Sequence, residues 1–135
     1  MVILWRFKGG LGVNGIKFLL DTNFVLGIVR GTKTVLAILA EKTTVPAECA
    51  YSFITRIELL GYRSITQPEI EAMESILSTM QYLPLTTEIE DATISLRRQH
   101  NLKTPDAIIA ATAKVLNLEL LTLDQQLAKR MQEIL

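Results

Sequence analysis

Between Thr104 and Leu116 the chain reads TPDAIIAATAKVL, a stretch of helical length that is apolar on almost every side. Thr104-Pro105 starts it, because proline fits the first turn of a helix, where its missing N–H is not needed. Ala107, Ile108, Ile109, Ala110, Ala111, Ala113, Val115 and Leu116 then leave little polar surface. A helix of this composition is buried, and in a small protein it is usually buried against a sheet. The chain therefore has to supply a sheet and cover it with helices, within 135 residues and as one domain.

The strands are short and each leads into a helix. Phe18-Leu19-Leu20 is an apolar run ending at Asp21, as expected of a buried central strand. Phe24 to Arg30 and Thr34 to Glu41 read as short helices divided by Gly31. Cys49 to Ile54 is a second strand, with a helix from about Arg56. Pro68 opens another helix, whose Ile70, Met73, Ile76, Leu77 and Met80 recur at helical spacing. Tyr82 to Thr86 is a third strand, after which Thr87 and Glu90 have the spacing of a capping box and Ile89, Ala92 and Leu96 line one helix face. Leu118 to Thr122 is a fourth strand, and Gln125 to Ile134 the last helix. Strands alternating with helices predict an α/β fold with a central parallel sheet and right-handed crossovers.

Residues 1–16 stand apart from this pattern, since five of the seven glycines fall within 9–27. They read as an N-terminal extension, flexible or packed on a sheet edge, or as sequence translated ahead of the domain at 17–135. No apolar stretch approaches the ~20 residues that span a bilayer. Arg6 and Lys8 interrupt the apolar Met1–Phe7 too early for a secretory signal. Fourteen basic and fourteen acidic side chains cancel, and 49% of residues are hydrophobic, which argues against disorder and against a basic nucleic-acid arm. The single cysteine, Cys49, suits a reducing compartment. The expectation is a cytoplasmic protein with no membrane contact.

Four carboxylates sit where a strand gives way to a helix or at a helix start: Asp21 in LLDTN, Glu58 in ITRIELLGY, Asp106 in KTPDAIIAATA and Asp124 in LLTLDQQL. Each alone has a capping explanation: Asp21 and Asp124 as N-caps, Glu58 three residues after Thr55, and Asp106 complementing a helix dipole. In a parallel sheet, however, helix N-termini that follow strands lie at the carboxyl edge, where ligands bind. Carboxylates gathered there repel unless some protonate or a cation joins them. Mg²⁺ and Mn²⁺ prefer oxygen ligands, and an ion so held activates water and stabilises charge on phosphate oxygens. Glu88, Glu90 and Asp91 also open a helix after a strand, but on an amphipathic segment whose acids read as a solvated face.

These acids are also where the sequence resembles the PIN-domain nucleases, in particular the VapC-type toxin ribonucleases. The resemblance covers about residues 17–130. LLDTN at 19–23 is similar to the first motif, with Asp21 as the first metal-binding acid and Asn23 beside it. Ile57-Glu58-Leu59-Leu60-Gly61 resembles the second motif, Pro105-Asp106-Ala107 running into Ile108–Ala113 the third, and Thr122-Leu123-Asp124 the fourth. The resemblance implies a three-layer α/β/α fold on four to five parallel strands. It further implies an acidic Mg²⁺ or Mn²⁺ site formed by Asp21, Glu58, Asp106 and Asp124, endoribonuclease activity on RNA, a homodimer and a protein antitoxin. Two features depart from it. Gln125-Gln126-Leu127 stands where the family usually has an aromatic, and the last predicted element is a helix where members commonly add a strand.

Asn23 and Thr122 are candidates to orient a carboxylate or an ion-bound water. Arg97, Arg98 and Lys103 precede the Asp106 helix and are candidates to hold RNA phosphates, although the two arginines also suit the end of their own helix. His100, the only histidine, has no partner for a zinc-type cluster. A literal G-x-G-x-x-G at Gly10, Gly12 and Gly15 leads into a strand and opens no helix, which excludes dinucleotide binding. Asn23 occupies the place where a phosphatase with an aspartyl nucleophile needs a second acid. The competing reading is a catalytically silent protein of the same fold acting through antitoxin or RNA contacts. Because the regular pattern begins at Lys17, a chain starting at Gly15 is expected to fold; loss of its cooperative urea transition would show that the extension belongs to the domain.

Overall fold

The computed structural model describes residues 15–134; most of the extension read at 1–16 lies outside them. Four strands form one parallel sheet: β1 (Phe18–Leu20), β2 (Cys49–Ser52), β3 (Gln81–Leu83) and β4 (Glu119–Leu121), in the order β3-β2-β1-β4. Seven α-helices cover it among the described residues: α1 (Thr22–Arg30), α2 (Lys33–Glu41), α3 (Phe53–Leu60), α4 (Gln67–Leu77), α5 (Thr87–Gln99), α6 (Thr104–Leu116) and α7 (Gln125–Ile134).

Successive side chains of β1 point to opposite faces, and this divides the core in two. Phe18 and Leu20 join Phe24, Val25 and Ile28 of α1, together with Leu59, Met73 and Leu77 of α3 and α4. Leu19 points the other way, into Ile89, Leu96, Ile109, Ala110 and Leu127 of α5, α6 and α7. The result is three layers, helices on both faces of a sheet, as the strand–helix alternation predicts. Leu19, Leu20 and Phe24 are all fully buried, and each contributes about 1.5–3 kcal/mol of transfer free energy.

Helix α6 lies where its composition requires. Residues Ala107 to Ala113 are all buried, and its alanines let it sit close to α5. Its one polar group in that run, Thr112 Oγ1, donates to the Ile108 carbonyl at 2.7 Å, so no buried hydroxyl is left unsatisfied there. Asn117 adopts φ 55° and closes the helix by donating its N–H to the Ala113 and Lys114 carbonyls.

Several boundaries differ from the sequence expectation, each for a local reason. Strand β2 stops at Ser52 because that side chain caps α3, accepting from the Ile54 N–H at 3.2 Å. The helix thus begins at Phe53, not near Arg56, and Glu58 is well inside it, not paired with Thr55 in a capping box. Helix α5 is capped by Thr86, which accepts from the Ile89 N–H at 3.2 Å, and Thr87 is its first residue. The capping box in this chain belongs to α4, between Thr66 and Glu69. That helix ends at Leu77, so Met80 reaches the core from the connection to β3. Strands β3 and β4 are each shorter than the apolar runs that announced them, and Pro84, which cannot donate, follows β3 at once.

Helices α1 and α2 meet at a bend of 105°, where Gly31 takes φ 67° and donates its N–H to the Gly27 and Ile28 carbonyls. No single helix among the described residues is long and apolar enough to cross a membrane. The bend presses α2 onto Gly27, where an added Cβ would stand 2.5 Å from Val35 Cγ2. Gly27→Ala is therefore expected to destabilise the fold by about 1–3 kcal/mol in urea denaturation. Val35→Ala in the same chain should recover part of that loss, and strict additivity of the two would refute the clash.

Candidate active site

Strands β1 and β4 run side by side with Leu20 opposite Leu121. The pairing extends one residue further: the Asp21 N–H donates to the Leu121 carbonyl at 3.0 Å. Thr122 is thereby set beside Asp21, and its hydroxyl donates to Asp21 Oδ2 at 2.8 Å. The other oxygen, Oδ1, accepts the Thr22 N–H at 2.8 Å as the N-cap of α1. Asp21 is only 8% exposed, so both oxygens are fixed in a nearly closed setting.

Thr122 Oγ1 also accepts the Asp124 N–H at 3.0 Å. One hydroxyl therefore ties the first acid to the last. Asp124 Oδ1 accepts from the N–H groups of Gln126 and Leu127 at 2.9 and 3.1 Å, capping α7. Its Oδ2 accepts nothing among the described residues. Capping and site formation are thus the same geometry seen from two sides.

Glu58 arrives from α3. Thr22 Oγ1 donates to Glu58 Oε1 at 2.6 Å and lies 3.1 Å from the hydroxyl of Thr55, which is fully buried. Asp106 is in the first turn of α6. Burial pushes its carboxyl above the ordinary carboxylate range, and the charges of Asp21, Asp124 and Glu58 push it further, against the opposing pull of Lys103. Three acids from three other parts of the fold therefore act on the fourth.

The family profile of the PIN domain matches residues 18–132. The chain belongs to the PIN domain family. Among solved structures, this PIN domain is similar to a chain of a toxin–antitoxin complex from Klebsiella pneumoniae, at 31% identity and a TM-score of 0.66 over 78% of this chain and 85% of that one. It is also similar to a chain of DNA-bound VapBC from Salmonella typhimurium, at 19% identity and a TM-score of 0.74 over 86% of this chain and 92% of that one. FitAcB from Neisseria gonorrhoeae aligns at 25% identity and a TM-score of 0.69, over 85% and 93% of the two chains. No curated protein matches the sequence.

The donor set of this PIN domain is four carboxylates and the hydroxyls of Thr22 and Thr122, all oxygen, which suits a hard divalent cation. Its uncompensated negative charge suits one as well. No three His, Cys, Asp or Glu side chains among the described residues converge closely enough to form a ready-made ion cage. Asp21, Glu58 and Asp124 each accept a hydrogen bond from the protein, and the charges of all three reach Asp106.

The remaining candidates are placed unequally. Asn23 is exposed and lines two hollows flanking α1, one of about 430 Å³ that includes Asp124 and one of about 260 Å³ that includes Glu58. Lys103 precedes α6 and acts on Asp106. Arg97 and Arg98 end α5 and pair with no acid among the described residues; Arg97 Nε reaches only the Leu102 carbonyl, at 3.5 Å. Glu88, Glu90 and Asp91 are exposed on α5, as expected of a solvated face. Cys49 offers no nucleophile, because burial pushes its thiol up to about 12, with Glu48 adding to the effect. Sequence reasoning missed Thr22 and Thr55 as supports of Glu58; the only signal was their place beside the acids, at Asp21+1 and Glu58−3.

Since the folded-state pKa of Asp106 is raised, the folded chain binds that proton more tightly than the unfolded chain does. Its favourable contribution is present at low pH and is lost as pH rises through the folded pKa. Metal-free Asp106→Asn is therefore expected to be more stable than wild type at neutral pH, with the difference shrinking on acidification. Equal or lower stability of the variant in neutral urea titrations would show that the carboxylate is not repelled there.

Proposed function

We propose that this PIN domain is a metal-dependent endoribonuclease and the toxin of a toxin–antitoxin pair. The observation that carries the reading is the hydrogen-bonded link of Asp21 to Asp124 through Thr122, with Thr22 beside it reaching Glu58, on the side of the fold where the charges of all three act on the partly buried Asp106. Its support from relatives is that the Klebsiella pneumoniae protein it resembles was solved in a toxin–antitoxin complex.

In this reading Asp21, Glu58, Asp106 and Asp124 hold Mg²⁺ or Mn²⁺. Such an ion supplies Lewis acidity toward phosphoryl oxygens and makes water a better nucleophile near neutral pH. The chain's own residues do the positioning. Thr122 fixes the Asp21 carboxylate and the turn bearing Asp124, and Thr22 fixes Glu58. Asp106, held above the ordinary carboxylate range by burial and by the other three acids, is the carboxylate whose charge an ion there would relieve most. Asn23, exposed and lining both hollows, would orient water or substrate. Lys103 supplies a positive charge beside the acids, and Arg97 and Arg98 draw the RNA backbone toward that side. Exposed apolar side chains such as Ile57, Leu85 and Ile94 provide surface for a second copy and for an antitoxin. Such a pair would act in the cytoplasm, where its RNA is.

Purified wild type and Asp106→Asn are compared on a mixed RNA pool with Mg²⁺ or Mn²⁺ and then with EDTA. Cleavage is expected only for wild type with metal, with the variant folded and lower by roughly a hundredfold or more, since supporting groups alone are worth about 10–100-fold in such sites. Thr122→Val should fall in that smaller range. Equal inactivity of wild type and variant would favour the catalytically silent binding protein.

A further inference from the structure

The hollow of about 260 Å³ between α1, α3 and α4 shares Thr22 and Glu58 with the candidate site. Leu26, Leu59 and Met73 give it an apolar floor, and Tyr62 and Arg30 complete the wall. Tyr62 is 38% exposed, yet it is not free to turn. Its hydroxyl donates to the Glu69 carboxylate, which also accepts the Thr66 N–H at 3.0 Å and the Thr66 hydroxyl at 2.8 Å. The capping box of α4 therefore doubles as an anchor for an aromatic ring beside the acids.

Arg30 is exposed and makes no ion pair among the described residues. Its charge is felt by both Tyr62 and Glu69, so the guanidinium and the anchored ring share one neighbourhood. Arg30 and Leu26 also line the hollow on the other side of α1, the one that includes Asp124. The cation thus lies on the path away from the acids along either flank of that helix.

We propose that this hollow is a nucleotide subsite, in which an unpaired RNA base lies against Tyr62 and an adjacent phosphate pairs with Arg30. The proposal rests on the RNA-cleaving reading and adds to it the residues that would receive one unpaired nucleotide, Tyr62 and Arg30. An aromatic face accepts any base, and a guanidinium is suited to grip phosphate through paired hydrogen bonds. The ring, the apolar floor and the exposed cation together suit one nucleotide.

Binding of fluorescein-labelled single-stranded oligouridylate and oligoadenylate to the full chain in EDTA, followed by anisotropy over a salt series, separates this from a structural role. Tyr62→Ala is expected to weaken binding about tenfold, whereas Tyr62→Phe keeps the ring and most of the affinity. Arg30→Ala should lower the slope of log affinity against log salt by about one, uniformly for both sequences, and Arg30→Lys should restore it. A role for Arg30 confined to the end of α1 would move the melting temperature and leave that slope unchanged. If Tyr62→Ala fails to fold, Arg30→Ala and its lysine rescue decide. Unchanged affinity and slope in these variants would overturn the subsite, even if wild type cleaves RNA with metal, and would leave the hollow to a protein segment. RNA binding that depends on Tyr62 and Arg30, without cleavage in Mg²⁺ or Mn²⁺, would keep the subsite and remove the nuclease.

Discussion

Leu20 and Leu121 stand opposite each other in adjacent parallel strands, and the site at the carboxyl edge is built outward from that pairing. A register shift of one residue would turn Leu19, Leu20 and Leu121 toward the wrong layers, because side chains alternate between faces. The two cores therefore enforce the register, and the register sets Thr122 beside Asp21. From there the Thr122 hydroxyl reaches the Asp124 N–H, and Thr22, next to Asp21, reaches Glu58. Packing of apolar residues in the interior thus determines where charged residues lie at the edge.

Concentrating acid at that edge works against folding, and the chain offsets the cost by using the acids as structural groups. Asp21 and Asp124 each satisfy helix N–H groups that would otherwise lack partners. Asp106 gains from the dipole of α6, yet burial and its three neighbours outweigh that gain. By contrast, two acids beside the starts of strands have cations of their own: Glu48 pairs with Lys17 at 3.0 Å and Glu119 with Lys42 at 2.6 Å. The two edges of the sheet are chemically different: one pairs its acids with lysines, and the other sets four acids against Lys103.

Much of this was legible in the sequence because it is written locally. The apolar runs at Phe18–Leu20 and Leu118–Thr122, the burial of the Asp106 helix over Ala107–Ala113 and the places of Asp21 and Asp124 between strand and helix follow from spacing and side-chain type, whereas Glu58 lies inside α3 and Leu116 is exposed. Two groups of features were not legible. The start of α3 at Phe53 depended on choosing between Ser52 and Thr55 as its cap, and both residue types satisfy the same rule. The support of Glu58 by Thr22 crosses 36 residues of chain, and the role of Thr55 in it emerges only once α1 and α3 touch. Likewise the anchoring of Tyr62 by Glu69 required recognising Thr66, not Thr87, as the residue with a reciprocal capping partner.

The hydrogen bond from Thr122 to Asp21 joins residues 101 apart in the chain. Closing so long a loop carries an entropy cost that only the completed sheet can meet, and contacts of this kind form late relative to local ones. A chain in which α1 and α2 have folded but β4 has not docked has Asp21 as a helix cap and nothing more. Such a partly folded chain, whether newly made or transiently opened, lacks the assembled acid cluster. Bringing Thr122 and Asp124 beside Asp21 thus depends on the docking of one three-residue strand.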